Sequence, residues 1–170
     1  MRAIKKLWLL KILLFVAIDV YAQGPKEKAY YLFNFIKFID WPHSCQGSDF
    51  VVGVIGETPV YLELDLLLTG KKIYNQPVVV KKFSNPDMAT RCHVIFIAES
   101  YCDQISCIIN RFKSFNTLIV CERSGMVRRG SAISFLVLNS KLTYEVNKQN
   151  IQNSGLHSNS QLEFLATNIK

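Results

Sequence analysis

Three short apolar runs constrain this chain more than any other feature. Phe50 to Ile55 reads Phe-Val-Val-Gly-Val-Ile, Cys92 to Ala98 reads Cys-His-Val-Ile-Phe-Ile-Ala, and Thr117 to Cys121 reads Thr-Leu-Ile-Val-Cys. Each is continuous rather than alternating, the pattern of a strand covered on both faces, as in a parallel sheet. Helical patterns lie between them. Thr58-Pro59 places a cap and a first-turn proline before a helix that runs to about Leu68 and stops at Gly70. Ser100 is the expected cap of a helix to about Lys113, whose apolar face is Cys102, Ile105, Ile108, Ile109 and Phe112. Pro77 to Val80 is a further strand, and the adjacent Lys81-Lys82 marks a sheet edge.

The remaining segments complete the pattern. Lys28 to Ile39 reads as a first helix, apolar on nearly every side, with Ala29, Leu32, Phe33 and Ile36 on one stripe and Tyr31, Phe35 and Phe38 on another. A helix of that kind is buried on two sides. Ala132 to Leu138 and Leu142 to Val146 form a hairpin around Asn139-Ser140. Its second arm alternates Leu142, Tyr144 and Val146 with Thr143, Glu145 and Asn147, which predicts one wet face. Ser158 and Gln161 are spaced as a capping box for a last helix to Ala166. The expected fold is α/β: an open, mostly parallel sheet of about six strands, helices on both faces, and an antiparallel edge hairpin near the C-terminus.

The N-terminus has a different character. Arg2, Lys5 and Lys6 precede the apolar run Leu7 to Ile18, broken only by Lys11, and Val20-Tyr21-Ala22 supplies a cleavage pattern. This is the form of a secretory signal peptide over residues 1–22, and the run falls short of the ~20 residues that span a bilayer. Residues 23–170 then form a single domain with 16 basic and 12 acidic residues, a net charge of +4. That is mildly basic and not a nucleic-acid footprint. With 49% hydrophobic and 19% charged residues overall, the chain is not intrinsically disordered. The expected product is soluble and exported.

Chemistry-bearing residues are sparse. His43 and Cys45 are two apart, Cys92 and His93 are adjacent and point to opposite faces of a strand, and no CxxC or HxxxH spacing occurs, so no metal is expected. Gly53-Val54-Ile55-Gly56 before a helix lacks both the three-glycine dinucleotide spacing and a Walker lysine. No local signature pairs a nucleophile with a base, so neither enzyme activity nor a cofactor is expected. Of five cysteines, Cys45 and Cys92 both precede strands, whereas Cys102 and Cys121 both follow strands, giving two candidate disulfides at opposite sheet edges. Cys107, on the polar side of its helix, is the expected free thiol and one means of linking two copies. Tyr31, Phe35, Phe38 and Trp41 are candidate partner contacts, because the second aromatic stripe needs a surface to cover it. Arg123, Arg128 and Arg129 on the polar loop are further candidates.

Three segments taken together resemble the YfiR family of periplasmic regulators. They are the aromatic helix Lys28 to Ile39 followed by Asp40-Trp41-Pro42; Val54-Ile55-Gly56 with Leu68 to Lys71, Pro77-Val78 and Cys92 to Ile97; and Ile133-Ser134-Phe135 with Tyr144-Glu145-Val146-Asn147, Gly155-Leu156 and Leu165-Ala166. The resemblance implies a non-enzymatic periplasmic regulator that restrains an inner-membrane diguanylate cyclase or histidine kinase through its periplasmic part; a second copy covering the aromatic stripe would make a homodimer. The alternative is a small-ligand-binding module, with its ligand between the aromatic helix and the sheet. The sequence departs from the family pattern at Gly130-Ser131, where Gly-Gly is frequent. It also departs at Gly53 and its neighbours, where some members have a cysteine able to pair with the one matching Cys92.

Overall fold

The computed structural model describes residues 24–42 and 49–169; the expected signal peptide, His43 and Cys45 lie outside them. Helix α1 spans residues 24–38. It leads through the two-residue strand β1 (Ile39–Asp40) to β2 (Phe50–Ile55), α2 (Val60–Leu68), β3 (Lys72–Ile73) and β4 (Gln76–Phe83). Then come β5 (Val94–Ile97), α3 (Ile105–Phe112), β6 (Leu118–Cys121), β7 (Ile133–Leu138) and β8 (Lys141–Val146). The chain closes with α4 (Lys148–Asn153), β9 (His157–Ser158), α5 (Ser160–Phe164) and β10 (Asn168–Ile169).

Among the described residues, eight strands form one sheet in the order β10-β8-β7-β6-β5-β2-β4-β3. Strands β4, β2, β5, β6 and β7 run parallel, β8 returns antiparallel beside β7, and β3 pairs antiparallel with β4. The expected α/β class holds, with short strands added at both edges and a separate antiparallel pair, β1 with β9. Two-residue strands have no periodicity to read. Only Gln76 and Pro77 of β4 face β3, so Lys81 and Lys82 lie on open edge as expected.

Two cores flank the sheet. Alternation along β2 sends Val52 and Val54 to one face and Ile55 to the other. The first core packs α1 and α2 against Phe50, Phe96, Phe135 and Tyr144, with Leu162 of α5 closing one end. The second packs Ile105, Ile108 and Phe112 of α3 against Ile95, Ile97 and Ile119. Gly53 faces this second core: a Cβ there would lie 2.7 Å from Ile95 Cδ1 and 2.8 Å from Cys92 Sγ. Trp41, just past β1, sits in the first core, its Nε1 donating to the Ile36 carbonyl at 2.9 Å and its ring meeting Phe50 edge-on at 5.1 Å.

Local signals that compete with longer-range ones account for the differences from expectation. Ser100 does not cap α3; Glu99–Gln104 forms a 3-10 turn first, with Ala98 before it. Asn159, rather than Ser158, caps α5 by accepting from the Gln161 and Leu162 N–H groups, because Ser158 is held in β9. Helix α4 follows the hairpin under an Asn147 cap that accepts from Asn150 N–H, and its six residues were too few to show a period. The outer face of β8 is not wet: Glu145 is buried, and its carboxylate accepts from Gly125 N–H as the β6–β7 loop folds across it. At the hairpin turn, Asn139 and Ser140 both have positive φ (50° and 61°), the left-handed pair of a two-residue primed turn.

Candidate functional site

The aromatic stripe of α1 is covered by the chain's own C-terminal half. Phe35 is 1% exposed and meets Tyr144 edge-on at 4.6 Å. Tyr31 lies 6.0 Å from Phe135 and 5.4 Å from Tyr144. The Tyr31 hydroxyl donates to the Leu142 carbonyl at 3.2 Å, and that of Tyr144 to the Leu162 carbonyl at 2.9 Å. Burial, with Tyr31 adding to it, pushes the Tyr144 hydroxyl up to about 12. These rings occupy the space between helix and sheet where the alternative, ligand-binding reading puts a ligand. Phe35 and Trp41 are therefore core residues, while Tyr31 and Phe38 keep a half-exposed edge.

The carboxyl ends of the parallel strands gather most of the charge pairs. The chain order reverses between β2 and β5, the switch point where open α/β sheets commonly bind ligands. Here the position is occupied by protein. Glu122, just past β6, accepts from Lys28 Nζ of α1 at 2.8 Å, from Glu99 N–H at 3.0 Å and from Thr58 Oγ1 at 3.5 Å. Arg123 donates to Glu99 and Asp103, each at 2.6 Å, and Arg129 reaches the same Asp103 at 3.5 Å. The hydrogen bond from Arg123 holds the Asp103 carboxyl below its ordinary value. Of the three loop arginines, two thus meet at one carboxylate and Arg128 stays exposed. Lys28 and Glu122, which tie α1 to this edge, had no motif to flag them.

A Cys102–Cys121 disulfide joins the same two segments that Arg123 bridges, with Cα atoms 6.4 Å apart. The other candidate pairing involves Cys45, which lies outside the described residues. Cys92 has a free thiol that donates to the Thr90 carbonyl, and burial pushes it up to about 12. Cys107 is a free, exposed thiol. Among the described residues, no three His, Cys, Asp or Glu side chains converge as metal ligands would.

Exposed apolar side chains lie elsewhere, among them Phe164 and Leu165 at the end of α5 and Val137 and Leu138 of β7. On α2, Leu62 and Leu66 are 63% and 79% exposed, and Tyr30 of α1 is exposed as well. A groove of about 270 Å³ runs between α1 and α2, lined by Lys26, Ala29, Tyr30, Glu63, Leu66 and Leu67. The signal was present in Val60 to Leu68, which has more leucines than one buried stripe accommodates. A second cavity of about 340 Å³ lies between α3 and α4, with Lys113, Arg129 and Asn110 at its walls and Ile109 and Phe112 on its apolar side.

Against this geometry, the family model described as YfiR/HmsC-like matches residues 25–167, nearly the whole described chain. The chain belongs to the YfiR/HmsC-like family. No curated protein matches it. A solved structure, that of a conserved domain protein from Vibrio cholerae O1 biovar El Tor, is similar in fold, with a TM-score of 0.59 at 12% identity. The match covers 86% of this chain but 60% of that one. Within the YfiR/HmsC-like framework, both sequence departures have a structural counterpart. Gly53 leaves room for the Cys92 thiol, and Ser131, in place of a glycine, is buried with its hydroxyl 2.9 Å from that of Ser134.

Proposed function

We propose that this YfiR/HmsC-like protein is an exported, non-enzymatic regulator. It binds the periplasmic part of an inner-membrane diguanylate cyclase or histidine kinase and holds that enzyme inactive. The family match over residues 25–167 is the observation that carries this reading. The physical requirement is tighter binding to the inactive than to the active state of the enzyme. A 100-fold preference, about 2.7 kcal/mol, suffices to hold down most of the output. Tyr31, Phe38, Arg128 and Arg129 remain contact candidates, since each keeps accessible surface. Deleting the gene should raise cyclic-di-GMP or the output of the neighbouring kinase, and unchanged output of both would defeat the reading.

A second reading, a small-ligand module, draws support from the cavity between α3 and α4. Lys113, together with Arg129 already paired to Asp103, and the apolar side formed by Ile109 and Phe112 suit a small organic anion. Under this reading, small carboxylates raise the melting temperature by mass action and their neutral amides do not.

A further inference from the structure

Helices α1 and α2 lie side by side with the groove between them. Ala29 and Tyr30 line one wall, and Leu66 and Leu67 the other, with Lys26 and Glu63 also lining the groove. One turn of α1 beyond Tyr30 stands Phe33, which carries two cations. Lys37 Nζ and Lys71 Nζ sit over the same Phe33 ring, 4.6 and 5.4 Å from its centroid. Neither lysine takes part in an ion pair among the described residues. Two ammonium groups drawn together over one ring, neither of them ion-paired, leave a concentrated positive spot one helical turn beyond the Tyr30–Leu66 groove. From Lys26 to Lys37 the α1 wall measures about three helical turns.

We infer that this groove receives an amphipathic helix of about three turns from the regulated enzyme, with apolar anchors on Leu66 and Tyr30 and carboxylates at the Lys37–Lys71 end. The inference rests on the regulator reading above and adds the docking face and its chemistry. An apolar helix face laid in a groove between two helices, with charge fixing its direction, is a recurrent mode of peptide recognition. The concavity favours a helix over a flat bilayer surface, and two lysines outside any ion pair favour a partner that supplies carboxylates.

The test uses the mature chain and the periplasmic part of the inner-membrane enzyme whose output changes when the gene is deleted. Leu66→Asp should weaken binding roughly 30-fold, as expected for a central apolar anchor. Leu62→Asp, a turn away on the rim, should cost less. Lys37→Glu combined with Lys71→Glu should weaken binding roughly 10-fold, with recovery when the partner's facing carboxylates become lysines. A photo-reactive benzoylphenylalanine at Leu66 should cross-link to a partner segment with apolar residues at helical spacing and acidic residues at one end. All these side chains are on the surface, so circular dichroism and melting should match the parent chain. If deletion of the gene changes enzyme output but the groove variants bind like the parent, the regulator reading stands and the groove assignment fails. Cross-linking to a second copy of this chain, or loss of binding to anionic vesicles in Leu66→Asp, overturns it in favour of self-association or a membrane. If deletion changes no output, the regulator reading falls, and the occupant named here falls with it.

Discussion

Helices α1 and α2 pack on the same face of the sheet, yet they treat their apolar residues in opposite ways. The aromatic stripe of α1, conspicuous in the sequence, turns inward: Phe35 and Trp41 are buried, and Tyr31 is half-covered by Phe135 and Tyr144. The leucines of α2, ordinary in the sequence, divide. Leu64 and Leu68 are fully buried, whereas Leu62 and Leu66 face outward. The difference teaches that an apolar stripe marks a need for cover without naming its source. For α1 the source is the hairpin β7–β8 and α5, more than a hundred residues away in the chain. For α2, no described residue supplies it.

The comparison can be broken most directly at Phe35. If the α1 stripe is core, Phe35→Ala should cost about 3–5 kcal/mol in denaturant unfolding, the usual range for a buried aromatic. A loss below about 1 kcal/mol would return the stripe to the surface.

Next in size is the staple on the opposite face. Cys102 and Cys121 are separated by 19 residues, so losing their bond should lower stability by about 2–4 kcal/mol while leaving the α1–α2 groove intact. Alkylation of the native oxidised chain should label Cys107 ahead of Cys92, because only Cys107 is exposed. Cys92 should react once the chain unfolds.

Tyr144→Phe leaves the buried Leu162 carbonyl without its donor and should cost about 1–3 kcal/mol. The same hydroxyl gives a pH signature. Its value rises from 10.0 to about 12 in the folded chain, so the unfolded chain ionises first. Stability is therefore unaffected by this group below pH 10 and falls as pH climbs from 10 toward 12. Cys92, raised from 9.0 to about 12, acts in the same direction from a lower starting pH. Alkaline unfolding followed by far-ultraviolet circular dichroism should show a decline beginning near pH 9, with Tyr144→Phe flattening its upper part and Cys92→Ala its onset.

The smallest effect on stability is expected at Leu66. Leu66→Asp should change unfolding free energy by no more than about 0.5 kcal/mol, since the side chain is 79% exposed. A large loss there would mean that α2 covers its leucines in a way this comparison misses, and the two helices would no longer differ.

Much of the architecture can be read from one-dimensional patterns, for a physical reason. The runs Phe50–Ile55, Val94–Ile97 and Leu118–Cys121 are apolar at every position because parallel strands are covered on both faces, and that requirement is visible in each segment alone. The hairpin turn at Asn139-Ser140 and the stop at Gly70 likewise depend on backbone preferences of single residues. Tertiary structure decided what depends on meetings between distant segments. Whether Tyr31 and Phe35 face a partner or the chain itself turned on where β8 and α5 return, and no pattern within α1 records that. Glu145 alternates like a solvent-facing residue, but a loop from β6 folds over it and gives its carboxylate a backbone donor. The Asn159 cap displaced Ser158 because Ser158 was already engaged with Ile39 in β9. The groove, and the two lysines over Phe33 a turn beyond it, exist because α1 and α2, separated in the chain by β1 and β2, settle on the same face of the sheet. Local propensity carries the elements, and the packing of those elements decides which surfaces are left for another molecule.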